Sequence, residues 1–256
     1  MIHATAIISA KAKIADGVEV GPYSVIGDHV EIGSGTTIDS HVVINGPTII
    51  GKDNHIYQFA SIGDDPQDKK YRGEPTRLVV GDRNTIREFC TISRGTAQDT
   101  GVTVIGDDNW IMAYCHIAHD CVVGNQTILA NNTTLAGHVR LGDWVICGGF
   151  SGVHQFCKVG AHAFLGMYAG ANRDVPAYTL VSEQPAIPKG INSEGLKRRG
   201  FSSDQIRNIK NAYRLVYRKG LKLDDAITQI EAVVGGQPEL LPFLESLRSS
   251  ERGIVR

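Results

Sequence analysis

Several features that would place this chain in a common class are missing from its sequence. The first residues, MIHATAIISAKAKIADG, lack the apolar segment that a secretory signal needs. No uninterrupted apolar run approaches the length that crosses a membrane. The formal net charge of -1, with 21% charged residues, argues against broad binding of nucleic acid. We therefore predict no membrane insertion and no nucleic-acid partner.

Cysteine and proline are also scarce. The five cysteines show no paired spacing, which fits a reducing compartment, and we predict a cytoplasmic protein. The chain has only 9 prolines but 29 glycines, and Val, Ile and Thr recur through its first two thirds. This mixture suits many short strands joined by tight corners. A chain of 256 residues can bury a large core without disulfides or structural metals.

An apolar residue recurs every six positions through the first two thirds of the chain. The residue two positions earlier is usually small or β-branched, and the following residue is often glycine. Neither a helix nor an alternating strand has this period. Hexapeptide repeats are typical of β-helix solenoids, in which three hexads close a coil of eighteen residues. We expect the glycines to relieve backbone strain at the corners. The first run of the repeat comprises Ile2, Ile8, Ile14, Val20, Ile26, Ile32, Ile38, Ile44, Ile50, Ile56 and Ile62.

Two polar segments interrupt the repeat. Residues 63–77 and 93–102 are predicted to be loops that leave the solenoid. Long excursions from a compact scaffold often carry function. Between and after these loops the repeat returns, with a shift of one residue, and continues to Leu165.

The last quarter of the chain has a different period. The repeat fades near Ala171, and from about residue 192 the apolar spacing becomes helical, with Ser202 and Gln205 resembling a capping box. We therefore predict a mainly β fold, with a parallel β-helix over residues 1–190 and a small α-helical domain over residues 191–256.

A coil of eighteen residues would place residues i and i+18 about 4.8 Å apart, in columns. His119, Gly137 and Gln155 would share one column, and Asp120 and His138 the next. An imidazole can accept and return a proton, and a neighbouring glycine offers an unshielded N–H to an oxyanion. Asp120 would fix the imidazole tautomer. Histidines at solenoid corners are more often solvated surface residues, so the spacing alone leaves both interpretations open.

Longer segments carry a more specific signal. Five of them resemble the UDP-N-acetylglucosamine acyltransferases that start lipid A biosynthesis: GPYSVIG, HVVINGPTIIGKDNHIYQFASIGDDPQDKKYRGEPTR, IAHDCVVGNQTILANNTTLAGHV, VHQFCKVGAH and NSEGLKRRGFS. This resemblance covers nearly the whole chain. It implies a homotrimer of left-handed β-helices with active sites between subunits. It also implies transfer of a 3-hydroxyacyl chain from acyl carrier protein to the glucosamine 3-hydroxyl of UDP-N-acetylglucosamine, without metal or cofactor.

The resemblance also assigns roles to residues. It implies that His119 is the general base, that Asp120 orients it, and that Gly137 is the oxyanion donor. Arginine suits bidentate recognition of phosphate. The implied substrate contacts are Asp68 and Lys70 at the sugar and phosphate, His116, His138, His154 and Gln155 in the cleft, and Asn192, Glu194, Arg198 and Arg199 at the uridine diphosphate.

The sequence departs from the family pattern in three places. Met167, one coil after Gly149, stands where the family often has a glycine that leaves a long acyl groove, so we expect a shorter, 3-hydroxydecanoyl-like chain. Ser93 stands where the family usually has a histidine near the sugar site, and a serine would tolerate a 3-amino sugar and amide formation. Residues 179–190 lack the expected glycine turn.

Three other functions share parts of this pattern. The sister N-acyltransferase of lipid A biosynthesis usually carries an added N-terminal uridine-binding domain, for which a repeat that starts at Ile2 leaves no room. A zinc carbonic anhydrase on this solenoid would use three histidine ligands, with His116 and His119 in such a set. A non-enzymatic scaffold or ice-binding solenoid would show flat threonine columns, whereas the threonines here fall mostly at inward positions.

Overall fold

A computed structural model describes residues 1–256 as a three-sided solenoid of short strands with helices at one end. Successive strands pass in turn to three sheets of nine, eight and ten strands. His116, Thr134 and Gly152 pair in parallel register, so each coil takes eighteen residues where no loop intervenes. The prediction of a mainly β, left-handed parallel β-helix followed by helices is confirmed.

The strands are short, and most contain two residues. Sheet I contains β1 (Ile7–Ile8), β4 (Val25–Ile26), β7 (Val43–Ile44), β10 (Ser61–Asp64), β13 (Thr91–Ser93), β16 (His116–Ile117), β19 (Thr134–Leu135), β22 (Gly152–Val153) and β25 (Gly170–Ala171). Sheet II contains β2 (Lys13–Ile14), β5 (Val30–Ile32), β8 (Thr48–Ile50), β11 (Arg77–Val80), β14 (Val102–Ile105), β17 (Val122–Val123), β20 (Arg140–Leu141) and β23 (Lys158–Val159). Sheet III contains β3 (Glu19–Val20), β6 (Thr37–Ile38), β9 (His55–Ile56), β12 (Thr85–Ile86), β15 (Trp110–Ile111), β18 (Ile128–Leu129), β21 (Ile146–Cys147), β24 (Phe164–Leu165), β26 (Thr179–Ser182) and β27 (Ile187–Ile191).

The large apolar residue of each hexad fills the interior of the solenoid. One continuous core of 40 buried residues runs along the stack, and Ile62, Ile92, Ile117 and Leu135 are typical members. Each coil buries these side chains only against its neighbours, so stability accumulates from coil to coil.

The glycines that follow the apolar residues serve a different purpose from the one expected. Most of them have no positive φ, whereas twenty residues other than glycine do, including His41 and Asp120. A Cβ on Gly33 would lie 2.6 Å from the carbonyl carbon of Gly51 in the next coil. Glycine is therefore required there by the close approach of stacked backbones, and the left-handed turn falls on a later residue of the same corner.

Three edges join the sheets, and we name each by the two sheets that it connects. Both excursions leave edge I/II: residues 65–76 connect β10 to β11, and residues 94–101 connect β13 to β14. They are slightly shorter than the predicted segments 63–77 and 93–102 because the flanking strands extend into them. The turn that contains His119 lies on this same edge, so both excursions emerge on the side of the candidate base.

The end of the solenoid is covered by a hairpin and a group of helices. Strand β26 continues sheet III in parallel, and β27 returns antiparallel beside it, so residues 179–190, which lack the glycine turn of the family, lie in a hairpin. Ser202 and Gln205 form the predicted capping box. A second core of 13 buried residues joins Tyr178 of the solenoid to the helices. The helices are α1 (Ser193–Arg198), α2 (Ser203–Tyr217), α3 (Leu223–Val234), a 3-10 turn (Pro238–Leu240) and α4 (Leu241–Arg248). None of them combines the length and apolar character that a membrane crossing requires.

Candidate active site

The turn after β16 brings an imidazole and a carboxylate together on edge I/II. His119 is 9% exposed, and its Nδ1 lies 2.9 Å from Oδ2 of Asp120. Asp120 adopts a left-handed backbone conformation, and its N–H donates to Oγ1 of Thr103. An ionised carboxylate only accepts hydrogen bonds, so Nδ1 of His119 carries the hydrogen. The other ring nitrogen, Nε2, is then left with a lone pair that can accept a proton.

Asp120 is buried and heavily hydrogen-bonded. Its carboxylate accepts from the N–H of Thr96 with both oxygens, and the Thr96 hydroxyl donates to Oδ2 over 2.6 Å. Burial acts to raise the pKa of Asp120, but the hydrogen bonds from His119 and Thr96 outweigh it and lower the pKa. The carboxylate therefore stays ionised beside His119.

Gly137 lies against the ring of His119, one coil further along. A Cβ at position 137 would lie 2.6 Å from Cε1 and 2.7 Å from Nε2 of His119. The N–H of Gly137 donates no hydrogen bond within the chain. The backbone here thus offers a free donor beside the imidazole nitrogen that carries the lone pair, which is the juxtaposition that the eighteen-residue spacing predicts.

His138 stands beside this pair in the next column. Its ring lies edge-on to that of His119, with centroids 5.0 Å apart, and stacks on Phe156 at 4.3 Å. Nδ1 of His138 lies 2.7 Å from Oδ2 of Asp99, a residue of the second excursion. Asp99 therefore fixes the ring from outside the solenoid.

The first excursion carries Asp68 and Lys70 and is tied to the second. Arg94, which is 8% exposed, donates to the carbonyl of Gly63 over 2.7 Å and to the Tyr71 hydroxyl over 3.1 Å, and it pairs with Asp65. Asp68 is half-buried and accepts from the N–H of Lys70, whose side chain is exposed. Both predicted contact residues therefore lie in a loop anchored on edge I/II.

The remaining cleft candidates surround this edge. His116 projects from the face of sheet I, where its Nδ1 lies 2.7 Å from Oγ1 of Thr91. Burial lowers the pKa of His116, and the nearby His119 lowers it further. His154 is exposed and donates from Nδ1 to the carbonyl of Gln155. A groove of about 450 Å³ lies beside His154 on sheet I. Ser93 is 5% exposed at the end of β13, so it is a strand residue and not part of the exposed loop.

The other predicted site residues lie on other edges of the same chain. Gly149 and Met167 are neighbours on edge III/I, since the Tyr168 N–H donates to the Gly149 carbonyl, and Met167 is 60% exposed. Asn192 caps α1 through its side chain, and its amide also donates to the carbonyl of His162 on edge II/III. One chain therefore does not bring these residues to His119.

The two arginines at the C-terminal end of α1, Arg198 and the C-cap residue Arg199, differ in their surroundings. Arg199 donates to Nδ1 of His162 over 3.1 Å, and its guanidinium lies 5.0 Å from the centroid of the Trp144 ring. Arg198 is exposed and has no ion pair or side-chain hydrogen bond, whereas Glu194 pairs with Lys197. Arg198 is thus the arginine with a guanidinium free for a ligand.

One group of side chains has the spacing of a metal site. His119, Asp120 and His138 each offer a ligand atom within 4.8 Å of the others. The set contains two histidines and a carboxylate, and neither His116 nor His154 joins it. The Asp120 carboxylate already accepts hydrogen bonds from Thr96 and His119. The three-histidine set of a zinc carbonic anhydrase is therefore not formed in this chain.

The site contains two residues that the sequence interpretation missed, Thr96 and Asp99. Both lie in the second excursion, which leaves the same edge one coil before His119. Both residues can be placed near His119 by counting the corners of the solenoid instead of the residues. An inserted loop changes the residue spacing, but it still leaves from the same edge.

Comparisons with known proteins agree with this architecture. Residues 103–137 match the bacterial transferase hexapeptide (six repeats) family, and residues 174–255 match domain 2 of UDP-N-acetylglucosamine O-acyltransferase. The chain is 56% identical over 260 residues to the acyl-[acyl-carrier-protein]–UDP-N-acetylglucosamine O-acyltransferase of Herminiimonas arsenicoxydans, covering 100% of this chain and 99% of that protein.

Solved structures give the same result. The UDP-N-acetylglucosamine acyltransferase of Francisella novicida superimposes with a TM-score of 0.98 at 46% identity, covering 100% of this chain and 94% of that one. The UDP-N-acetylglucosamine O-acyltransferase of Moraxella catarrhalis also gives 0.98, at 48% identity, with 100% and 99% covered. The chain therefore belongs to the UDP-N-acetylglucosamine O-acyltransferase family and is an acyltransferase.

Proposed function

We propose that this chain transfers a 3-hydroxyacyl group from acyl carrier protein to the glucosamine 3-hydroxyl of UDP-N-acetylglucosamine, with His119 as the general base. The observation that carries the proposal is the placement of a free Gly137 N–H beside an imidazole whose Nδ1 is held by Asp120. A base and an oxyanion donor around one reacting carbonyl are the two elements that acyl transfer to an alcohol requires.

The proposed chemistry needs no group from outside the two substrates and the protein. Nε2 of His119 takes the proton from the sugar hydroxyl, and the oxygen attacks the thioester carbonyl carbon. The Gly137 N–H donates to the resulting oxyanion. The tetrahedral intermediate then collapses, the carbon–sulfur bond breaks, and the imidazolium returns its proton to the leaving thiolate. Asp120 stabilises the imidazolium between these two transfers.

We further infer that the site is completed by a second copy of the chain in a homotrimer. Met167 lies on edge III/I and Arg198 in α1 beside edge II/III, whereas His119 lies on edge I/II, so parallel packing of identical chains is the simple way to bring them together. Edge III/I also exposes an aromatic ladder, in which Phe59, Phe89 and Tyr114 stack at 5.1 and 4.9 Å and are 44–56% exposed. A contiguous apolar surface of this kind is typical of an interface.

Substrate selectivity is the finer part of the proposal. Met167 projects from the edge next to sheet I and would shorten the space for an acyl chain, which favours a 3-hydroxydecanoyl-like donor. Ser93 is buried at the end of β13, close to Arg94 and the two excursions. The 3-amino analogue is therefore the acceptor whose rate should be compared with that of UDP-N-acetylglucosamine.

The proposal is tested by one assay. The purified chain receives UDP-N-acetylglucosamine or its 3-amino analogue, together with 3-hydroxyacyl carrier proteins of several lengths. We expect an alkali-labile ester with the hydroxyl acceptor, and a fall in rate of about 10²- to 10⁴-fold for His119→Ala. The control is His29→Ala, an exposed histidine in a distant turn of the same edge.

Two results would contradict the proposal. An alkali-stable amide as the preferred product would assign the amino sugar as the acceptor. If His119→Ala had the same rate as His29→Ala, His119 would not be the general base.

A further inference from the structure

We propose that residues 94–101 act as a strap that positions the imidazoles of edge I/II, with Thr96 as the positioning residue for His119 and Asp99 as the positioning residue for His138. The strap acts on His119 through the Asp120 carboxylate and on His138 through Asp99. The inference rests on the proposed function for its kinetic consequences, but its structural basis is independent of the substrate.

Thr96 is the main support of Asp120. It is 1% exposed and gives the carboxylate both its N–H and its hydroxyl, the latter over 2.6 Å. The only other side chain that donates to this carboxylate within normal hydrogen-bond distance is His119. Without the Thr96 hydroxyl, a buried carboxylate would be short of one donor and would turn or take up a proton. Either change would release the ring of His119.

Asp99 performs the same task for His138. Its Oδ2 lies 2.7 Å from Nδ1 of His138, whereas Asp120 Oδ2 lies 3.9 Å from the same nitrogen. With Nδ1 held as a donor, Nε2 of the neutral ring is an acceptor. Because the rings of His138 and His119 meet edge to face at 5.0 Å, a rotation of one ring disturbs the other.

The first residues of the strap are buried and held by contacts with the rest of the protein. Arg94, which begins it, is 8% exposed and donates to the carbonyl of Gly63 in β10 and to the hydroxyl of Tyr71 in the first excursion. Gly95 lies against Asp120 so closely that a Cβ there would come within 2.8 Å of Oδ1. One continuous segment therefore connects the loop that carries Asp68 and Lys70 to the Asp120 carboxylate.

The decisive variants are Thr96→Val, which keeps the shape but removes the hydroxyl, and Thr96→Ser, which keeps the hydroxyl. We expect Thr96→Val to lower kcat by about 10- to 100-fold, the loss that one hydrogen bond to a charged group represents, with KM within about threefold of the wild type. Thr96→Ser should restore most of the rate. Thr100→Val, on the exposed part of the same strap, is the control.

A spectroscopic measurement separates this inference from the proposed function. In protein labelled with ¹⁵N-histidine, we expect His119 and His138 of the wild type to show hydrogen at Nδ1. The His119 signal should change in Thr96→Val and the His138 signal in Asp99→Ala, whereas Asp99→Asn retains an acceptor for Nδ1. Asp99 is largely outside the core, so its variants test the strap even where Thr96→Val does not fold.

Three outcomes would overturn the inference. The first is a Thr96→Val enzyme with the wild-type kcat. The second is an equal loss in Thr96→Ser, which would mean that the volume of the side chain and not its hydroxyl matters. The third is an unchanged ¹⁵N spectrum in both Thr96→Val and Asp99→Ala. A wild type that transfers no acyl group would instead refute the proposed function and leave the ¹⁵N test of the strap intact.

Discussion

The imidazole of His119 occupies the space into which any side chain at Gly137 would project. A Cβ there would meet Cε1 at 2.6 Å and Nε2 at 2.7 Å, distances that real Cβ contacts do not reach. The backbone of Gly137 does not have a positive φ, so the conformation itself admits alanine. Glycine at this position is thus explained by the neighbouring ring alone.

The Gly137→Ala variant should therefore lose activity while keeping its fold. The added methyl must push the ring away from Asp120, and we expect kcat to fall by about 100-fold or more. The measurement is steady-state kinetics together with the thermal unfolding midpoint. Gly190→Ala is the control, since a Cβ there meets nothing within 4 Å. A Gly137→Ala enzyme with the wild-type kcat would show that the ring can be displaced without consequence.

Much of this arrangement is predictable from the sequence because the coil has a fixed length. Where no residue is inserted, eighteen positions always return to the same edge, so the proximity of His119 and Gly137 follows from counting. The counting does not reach Thr96 and Asp99, because the path of an inserted loop depends on its own hydrogen bonds. It also does not predict β27, whose antiparallel return ends the periodic part of the chain.

The acyl length preference should depend on the volume at Met167. This side chain is 60% exposed on one chain and stands one coil after Gly149, where a side chain is absent. Met167→Gly removes the obstruction, so we expect 3-hydroxymyristoyl carrier protein to gain kcat/KM relative to 3-hydroxydecanoyl carrier protein by about tenfold or more. Competition between the two donors, read by mass spectrometry, gives the ratio directly.

Met167→Leu is the matched control for this prediction because it nearly conserves volume and apolar character. It should keep the preference of the wild type. The same donor ratio in Met167→Gly and Met167→Leu would mean that the end of the acyl groove lies elsewhere.

The junction between solenoid and helices should weaken on mild acidification because of His162. Burial lowers the pKa of His162 to about 4, and the positive charge of the nearby Arg199 contributes to a smaller extent. An unfolded histidine titrates near 6.5. The folded pKa lies below the unfolded one, so the unfolded chain binds more protons between these values. The resulting stability is fully present above pH ~6.5 and is lost as the pH falls toward about 4.

We expect the lowered pKa of His162 to contribute about 1–3 kcal/mol to the free energy of unfolding above pH ~6.5. This is less than the full pKa difference would give, because the ring is partly exposed to solvent. His162→Gln keeps an acceptor for Arg199 but does not titrate, so its thermal midpoint should fall less than that of the wild type between pH 6.5 and 5. His29→Gln, at an exposed position, should follow the wild type. Parallel pH curves for all three proteins would contradict the assignment.

The sharing of the site between chains can be tested by mixing two inactive variants. His119 lies on edge I/II, and Arg198 belongs to the helix α1 that packs against edge II/III. If the proposed site takes His119 from one chain and Arg198 from the next, neither His119→Ala nor Arg198→Ala alone has an intact site. In a trimer that contains both variants, one of the three sites receives both native residues, so we expect about a third of the wild-type activity. The two variants are co-expressed with different tags and purified through both in succession, and the separately purified proteins, combined without exchange of subunits, serve as the control. Because a site confined to one chain would gain nothing from mixing, an inactive mixed trimer would contradict the sharing of the site between chains.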